Sequence, residues 1–391
     1  MVNALQAYFK KPQTIIAIVI AIAFQLIFSA IWMTAYDGVT ERVDNFQIAL
    51  VNQDKTTGAM IEKQLVGKLP FKVITLDQQE AERQLDGRDV QMIVQIPEDF
   101  SQQLQISGEK ASLVYTINES NAASIKSIMQ TVATTITDMV NKNVATQGTQ
   151  AVLEQLQMPS AQAVVAAQSL MGKVESQMIY THPVSGMNNQ MVPLMLVLAS
   201  FVGSMIMAQN LHQSTLLLTG TLSKWNSFRA RLVINFISAP VISFIGSVMV
   251  LVLGGQMERG FLALWMFQML LILAFMFFSQ MFINVLGMSG MLINIIMMSM
   301  QLVTSGAMVP RLMLNNFYHS IGQFLPATYG VQGLMALQFG GPGISSSIWG
   351  LMIITVICLL VSLLAVALKK EKVSMGIHQE ESIPVSIPSQ A

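Results

Sequence analysis

Apolar and polar residues along this chain are sorted into long blocks rather than mixed. Six blocks are long enough to cross a bilayer, which takes roughly 20 predominantly apolar residues in a helix. They run over about Thr14–Tyr36, Met191–Leu211, Leu232–Leu253, Phe261–Phe282, Met291–Val309 and Ile348–Leu368, the fifth with the weakest edges. A cleaved secretory signal is the alternative for the first block. Such signals carry an apolar core of about 7–15 residues, and Ile15–Met33 is longer, interrupted mainly by Gln25 and Ser29.

Between the first two blocks lies a polar region, Asp37–Asn189, in which strand and helix signals alternate. Phe46–Val51 reads as a strand followed by an Asn52–Lys55 turn, then a helix over Gly58–Lys68 and a strand over Phe71–Leu76. Asp77 caps a helix to Leu85, with Glu80 placed as its capping-box partner and Gly87 as its stop. Strands follow at Val90–Ile96, closed by Pro97, and at Ala111–Ile117, with a short helix over Glu98–Leu104 between them. Ala123 to about Gln157 carries apolar residues at three- and four-residue spacing and predicts a long helix. Pro159 breaks it, Ala161–Met171 resumes, and Val174–Tyr180 reads as a returning strand.

Composition narrows the class. Of 391 residues, 53% are hydrophobic and 11% charged, and 21 basic residues balance 21 acidic ones. That excludes a disordered chain and argues against an ordinary soluble enzyme. One cysteine, Cys358, excludes an intramolecular disulfide framework and a multi-cysteine zinc site. Neutral balance gives no reason to expect nucleic acid as a partner.

Charge also orients the chain. Lys10 and Lys11 precede the first block, Lys224, Arg229 and Arg231 lie between the second and third, and Lys369, Lys370 and Lys372 follow the sixth. Short loops rich in Lys and Arg stay cytoplasmic. Both termini are therefore expected inside and residues 37–189, with 17 acidic and 11 basic residues, outside.

Several chemistries are missing from the sequence. There is no Gly-x-x-x-x-Gly-Lys-Ser/Thr loop for ATP phosphates and no hydrolase signature such as Gly-x-Ser-x-Gly. His182, His212, His319 and His378 are scattered and read as interfacial or solvated rather than metal ligands. Glu98 and Asp99 suit a helix N-terminus. Within the six blocks there is no Asp, Glu, Lys, Arg or His, so a self-driven proton pump is not expected. Gln25, Asn235, Gln268, Gln280, Asn284, Asn294 and Gln301 are polar residues there; interhelical hydrogen bonding is one reading and a polar passage the other. The 30 methionines favour core filling over a substrate-adapting lining.

Two segments have more shape. Leu218–Leu232 sets Trp225 and Phe228 among Lys224, Arg229 and Arg231. It reads either as basic cytoplasmic flank with a belt aromatic, or as a short helix that docks on a partner. Met1–Gln13 is a comparable interfacial candidate. Ser305–Gly343 is too apolar for a solvated loop and is cut by Gly306, Pro310, Pro326 and the Gly340–Gly343 run. A re-entrant hairpin is preferred to an interfacial loop, provided that protein buries its backbone.

The runs IALVNQDKTTG (Ile48–Gly58) and EAERQLDGRDVQMIVQIPEDFS (Glu80–Ser101) resemble the YhgE/Pip family of bacterial membrane proteins. Matching positions include Asn52, Asp54, Gly58, Ala81, Leu85, Gly87, Pro97, Asp99, Phe100 and Ser101; Thr56, Thr57 and Asp89-Val90 depart from the pattern. SGAMVP (Ser305–Pro310) and FLPATYGVQGL (Phe324–Leu334), which includes Tyr329, resemble the stretch after the fifth span of ABC-2-type permeases.

The resemblance implies a permease subunit driven by a separate ABC ATP-binding subunit, so that ATP is bound by the partner and no cofactor by this chain. It also implies a homodimer or heterodimer of permeases in the lipid bilayer, exporting an amphipathic or hydrophobic substrate. Met1–Gln13 would be an interfacial elbow and 212–231 the coupling region, with Lys224, Trp225, Arg229 and Arg231 as docking residues. Asn52, Asp54 and Gly58 are expected to shape the first outer turn rather than bind a ligand. A membrane-anchored receptor or scaffold without transport, like the family's phage-infection members, is the alternative; an intramembrane enzyme has no catalytic residues to support it.

The expected architecture is an α-helical polytopic membrane protein with six transmembrane helices in a 1+5 arrangement. A small α+β extracytoplasmic domain is inserted after the first. The divisions fall at 1–36, 37–189, 190–370 and a 371–391 tail.

Overall fold

The structure, a computed structural model, describes residues 22, 26–28, 30–106, 109–155, 172–218 and 222–369. The proposed elbow at Met1–Gln13 with Lys10 and Lys11, Gln25, the helix expected over Ala161–Met171, Lys370, and the 371–391 tail with Lys372 lie outside the described residues.

The polar region folds around one mixed sheet: β1 (Gln47–Asn52), β2 (Lys72–Thr75), β3 (Met92–Ile96), β4 (Ala111–Asn118) and β5 (Val174–Thr181). Their order is β2-β1-β3-β4-β5; β1 pairs parallel with β2 and β3, β3 antiparallel with β4, and β4 parallel with β5. Parallel neighbours require crossover helices. The chain supplies α2 (Thr57–Lys68) between β1 and β2, and α3 (Gln78–Gly87) between β2 and β3. The first crossover runs from β1 to β2 and the second back from β2 past β1 to β3, so a common handedness puts the two helices on opposite faces.

Alternation along β1 follows from this. Ile48 and Leu50 face α2, the short α4 (Phe100–Gln105) and the long α5 (Ala123–Gln155), while Ala49 and Val51 face Ala81 and Leu85 of α3. A strand covered on both faces loses the apolar–polar alternation of a half-exposed one, which is why IALV reads as a continuous apolar run.

Local signals account for the helix ends, with two corrections. Asp77 accepts a hydrogen bond from the Glu80 backbone N–H, as an N-cap should. Glu80 does not return the bond; its carboxylate is taken by Arg83 and Gln84, which hold it down to about pKa 2. Nor is Gly87 the left-handed stop. Gly87 is the last helical residue, and Arg88 takes the left-handed conformation with φ +67°.

Beyond the sheet, helices dominate. The described part of α1 (Leu26–Tyr36) leads into the sheet region. After β5 come α6 (Gly186–Leu217), α7 (Lys224–Val252), α8 (Phe261–Leu286), α9 (Gly290–Thr304), α10 (Asn316–Gly322), α11 (Pro326–Phe339) and α12 (Ser345–Leu368). Among the described residues, four helical runs are long and apolar enough to cross a membrane, beginning at Gly186, Lys224, Phe261 and Ser345.

The expected fifth block is shorter than 291–309. Asn294 donates to the Ser279 carbonyl at 3.1 Å, whereas 15 residues of unbroken helix would separate them by about 22 Å at 1.5 Å per residue. The Gly287–Ser289 turn therefore folds α9 back along α8. α9 ends at Thr304, because Gly306, at φ +81°, leaves the helix. By itself it falls short of a bilayer's ~30 Å.

The bundle has an apolar core, Leu271, Phe275 and Leu334 among it, that takes in a few buried polar residues, and its outer faces are apolar too. α8 is its hub, packed on α6, α7, α9, α11 and α12. The outer faces of α7 and α12 expose Val233, Phe236, Ile237, Val241, Ile245, Ile353, Ile357 and Leu360, while Asn235, Ser243 and Ser247 of α7 are fully buried. Apolar outer faces with the polar residues turned inside are what a hydrocarbon solvent selects.

Candidate functional site

The buried polar residues of the bundle form a ladder between α7 and α8. Arg231 Nη1 donates to Asn284 Oδ1 at 2.9 Å, Gln280 Nε2 to Asn235 Oδ1 at 2.9 Å, and Ser247 Oγ to Gln268 Oε1 at 2.8 Å. Each step of four along α7 is a step of four back along α8, so the rungs share one antiparallel register. Ala239 fills the interval against Met276 and Ile272. Four-residue rows are the ridges along which helices pack, and a desolvated amide gains most from a partner on the facing ridge. Elsewhere, Gln301 Oε1 receives the Ala327 N–H at 3.1 Å, joining α9 to the start of α11. Interhelical hydrogen bonding is thus the reading met by all six described polar residues, Asn294 included.

The basic docking candidates fall on the first two turns of α7. No separate short helix forms there, because Ser223 caps α7 by accepting from the Asn226 N–H and the helix continues unbroken to Val252. Lys224 Nζ donates to the carbonyls of Ala367 and Lys369, tying down the end of α12. Trp225 is 37% exposed and stacks edge-on against Phe228. Arg229 is exposed and bonds Asn226.

Arg231 differs. It is 7% exposed and turned inward to Asn284, so it offers no docking surface. His212 on α6 is buried near it. Both residues lie just outside the apolar blocks, which themselves contain no ionisable group, but the helices extend past the blocks and bury them.

In the sheet region, Asp54 organises the turn after β1. Its carboxylate accepts from the backbone N–H of Thr56 (2.8 Å), Gly58 (2.9 Å) and Ser101 (2.8 Å), and from Ser101 Oγ (2.9 Å). Burial pushes this carboxyl up, but the bonds from Gly58, Ser101 and Thr56 outweigh it and hold it below its ordinary value. Asn52 Oδ1 accepts from the Asp54 N–H, and a Cβ on Gly58 would lie 2.2 Å from that same oxygen. Pro97 O accepts from the Phe100 N–H, Asp99 Oδ2 accepts from Gln103, and Phe100 is fully buried. This cluster thus joins two segments about 45 residues apart, with its polar atoms used internally.

Pro326 opens α11 at its first turn, and nearly every residue of α11 is buried. Tyr329 packs where a Cβ on Gly350 would lie 2.4 Å from its ring, and its hydroxyl donates to the Gln323 carbonyl. Gly306 and Pro310 instead line a cleft of about 810 Å³ between the sheet and the 305–347 stretch. Lys72, Arg88, Arg311 and His319 line it too. Sequence reasoning missed this cleft, since its walls come from segments as far apart as Asn45 and Ser347, and no local motif marks it.

The fold and sites can be compared with known proteins. No curated protein matches the chain. A crystal structure of a domain of a candidate ABC type-2 transporter from Thermotoga maritima matches with 23% identity, covering 34% of this chain and 84% of that one. Its TM-score of 0.28 is too low for any argument. The family model described as ABC-2 family transporter protein matches residues 11–368. That match takes in the sheet, the ladder and the cleft alike, and the chain belongs to the ABC-2 family of transporter proteins.

Proposed function

We propose that this chain is the membrane permease of an ABC-2-type exporter of the YhgE/Pip kind, driven by a separate ATP-binding subunit. In this reading it crosses the membrane six times with both termini in the cytoplasm and residues 37–189 outside. Two permease copies, or this chain and a related one, enclose the pathway. The substrate is amphipathic or hydrophobic, in keeping with a methionine-rich bundle that buries few charges. ATP binding is assigned to the partner subunit.

The observation that carries the reading is the α7–α8 ladder. Its rungs run from Arg231–Asn284, two turns into α7, to Ser247–Gln268 near the opposite end. Helices bonded to each other at both ends pass on a displacement at one end rather than absorbing it. Trp225 and Arg229, exposed at the start of α7, are the docking residues; Lys224 sets the end of α12 beside them, and Arg231 locks α7 to α8.

The test begins with the P-loop subunit that co-purifies with the tagged chain from its own membrane. Both are reconstituted in proteoliposomes and ATP turnover is measured. Turnover should rise with the permease present. Trp225→Ala with Arg229→Ala should cut that stimulation about fivefold, the equivalent of ~1 kcal/mol of docking energy, with insertion unchanged. Equal turnover with and without this chain would favour the receptor or scaffold reading and defeat this one.

A further inference from the structure

We propose that the cleft between the sheet and the 305–347 stretch binds a phosphate-class anion, free or carried on an amphiphile headgroup. The cleft is about 810 Å³, within the usual range of ligand pockets, about 300–1,000 Å³. Its charged lining is one-sided. Lys72, Arg88, Arg311 and the imidazole of His319 face a single acidic residue, Asp89. Asp89 also acts on Arg83 and raises that cation's pKa.

The two arginines are the core of the argument. Arg88 Nη2 donates to Ser120 Oγ at 3.2 Å and to the Gly340 carbonyl at 3.4 Å. Arg311 Nη2 donates to the His319 carbonyl at 2.9 Å. All three acceptors are neutral. The Nε of each arginine is buried with no hydrogen-bond partner, and neither guanidinium has a carboxylate partner among the described residues.

A half-buried cation without an anion is costly. A fork of guanidinium N–H groups is the donor set that matches phosphate oxygens. Burial and the neighbouring Arg259 push the Arg88 guanidinium down to about 10, which still leaves it charged at neutral pH. Arg88 also holds a left-handed backbone at φ +67°, a conformation in which a side chain is rarely placed without tertiary support.

Part of the lining is apolar. It includes Leu314, Val331 and Met335, so a cationic corner sits beside a hydrocarbon-compatible surface. That pairing suits the headgroup and first acyl carbons of an anionic amphiphile. A role for such a ligand as export cargo rests on the permease reading; binding itself does not.

The test uses the purified full chain in neutral detergent, without an ATP-binding subunit, so that loss of binding is separable from loss of coupling. Calorimetric titrations use dihexanoyl phosphatidic acid, inorganic phosphate and zwitterionic dihexanoyl phosphatidylcholine. Phosphatidic acid should bind at least about tenfold more tightly than phosphatidylcholine, about 1.4 kcal/mol. Arg88→Gln and Arg311→Gln should each lose about that factor, and Arg83→Gln, on the exposed side of α3, should lose none.

Should either variant misfold, Ser346→Cys in the otherwise native cleft gives a second readout. Maleimide should label it, and phosphatidic acid should slow the labelling. Inorganic phosphate binding as tightly as phosphatidic acid would assign the site to the free anion; preference for phosphatidic acid would assign it to a headgroup. Either supports the site. No binding by either anion, equal binding by the arginine variants, or labelling indifferent to phosphatidic acid overturns it.

Discussion

Asp54 shows how a single residue holds the sheet region together. It is 3% exposed and receives three backbone N–H groups and one hydroxyl. Replacing it with Ala orphans buried donors, each costing about 1–3 kcal/mol. Asp54→Ala should therefore lower the sheet region's stability by about 3 kcal/mol or more, read as faster hydrogen exchange at the Thr56, Gly58 and Ser101 amides. The pH dependence has a definite sign. The folded pKa lies below the unfolded one, so this stabilisation is complete above the unfolded value of about 3.9 and is lost as pH falls through the folded value. Exchange at these amides should accelerate on acidification through that window in the native chain and change less in Asp54→Ala. Gly58→Ala should have a related effect by another route. Its Cβ would collide with Asn52 Oδ1, and overpacking of this kind costs about 1–3 kcal/mol. The motif reading of Asn52, Asp54 and Gly58 as turn-shaping residues agrees with these contacts. What the motif did not reveal is the acceptance from Ser101, a contact that only folding creates.

At the scale of elements, the ladder predicts a non-additive mutant cycle. Asn235→Leu leaves the buried Gln280 amide without its partner, and Gln280→Leu does the converse for Asn235. Interhelical bonds in membranes average about 0.6 kcal/mol and reach about 1.7. Each single change should therefore cost roughly 1 kcal/mol, and the double change should cost less than the two together. Additive losses in reversible unfolding would show that the rung contributes nothing. Asn235, Gln268, Gln280 and Asn284 stood out in the sequence as polar residues within the apolar blocks or at their edges. Their partners did not, because hydrophobic periodicity shows which face is buried and not which helix covers it. The same ambiguity hid the burial of Arg231. Its neighbours in sequence, Lys224 and Arg229, are exposed or capped at the surface, and nothing local separates the three.

At the scale of the whole molecule, the sheet and the bundle are joined by several specific bonds. The Ala123 and Ser124 N–H groups donate to the Ala307 and Met308 carbonyls, and Arg42 Nε donates to the Met313 carbonyl. The Thr34 and Tyr318 hydroxyls lie 2.6 Å apart, tying α1 to α10. Glu119, nearly buried, accepts from the Val184 N–H at 2.9 Å and pairs with Lys126 at 2.6 Å, fastening the start of α6 to the sheet. A charge-assisted bond of this kind is worth about 2 kcal/mol. Glu119→Ala should speed exchange at the Val184 amide and leave the Thr56 amide unchanged. If the sheet follows the bundle during transport, the same change should also lower stimulated ATP turnover; undiminished turnover would mean that the sheet region is not part of the moving assembly.

Sequence alone determined the apolar blocks, the alternation of strand and helix in the sheet region and the Asp77 cap. These follow from solvation and short-range sterics, which act between residues within a few positions of each other. Tertiary structure alone decided the order of the strands, the fold-back of α9, the inward turn of Arg231 and the cleft with its two unmatched guanidinium groups. Each of these depends on residues that are far apart along the chain, often by tens to hundreds of positions. Their free energy comes from desolvation and pairing at contacts that no local pattern encodes.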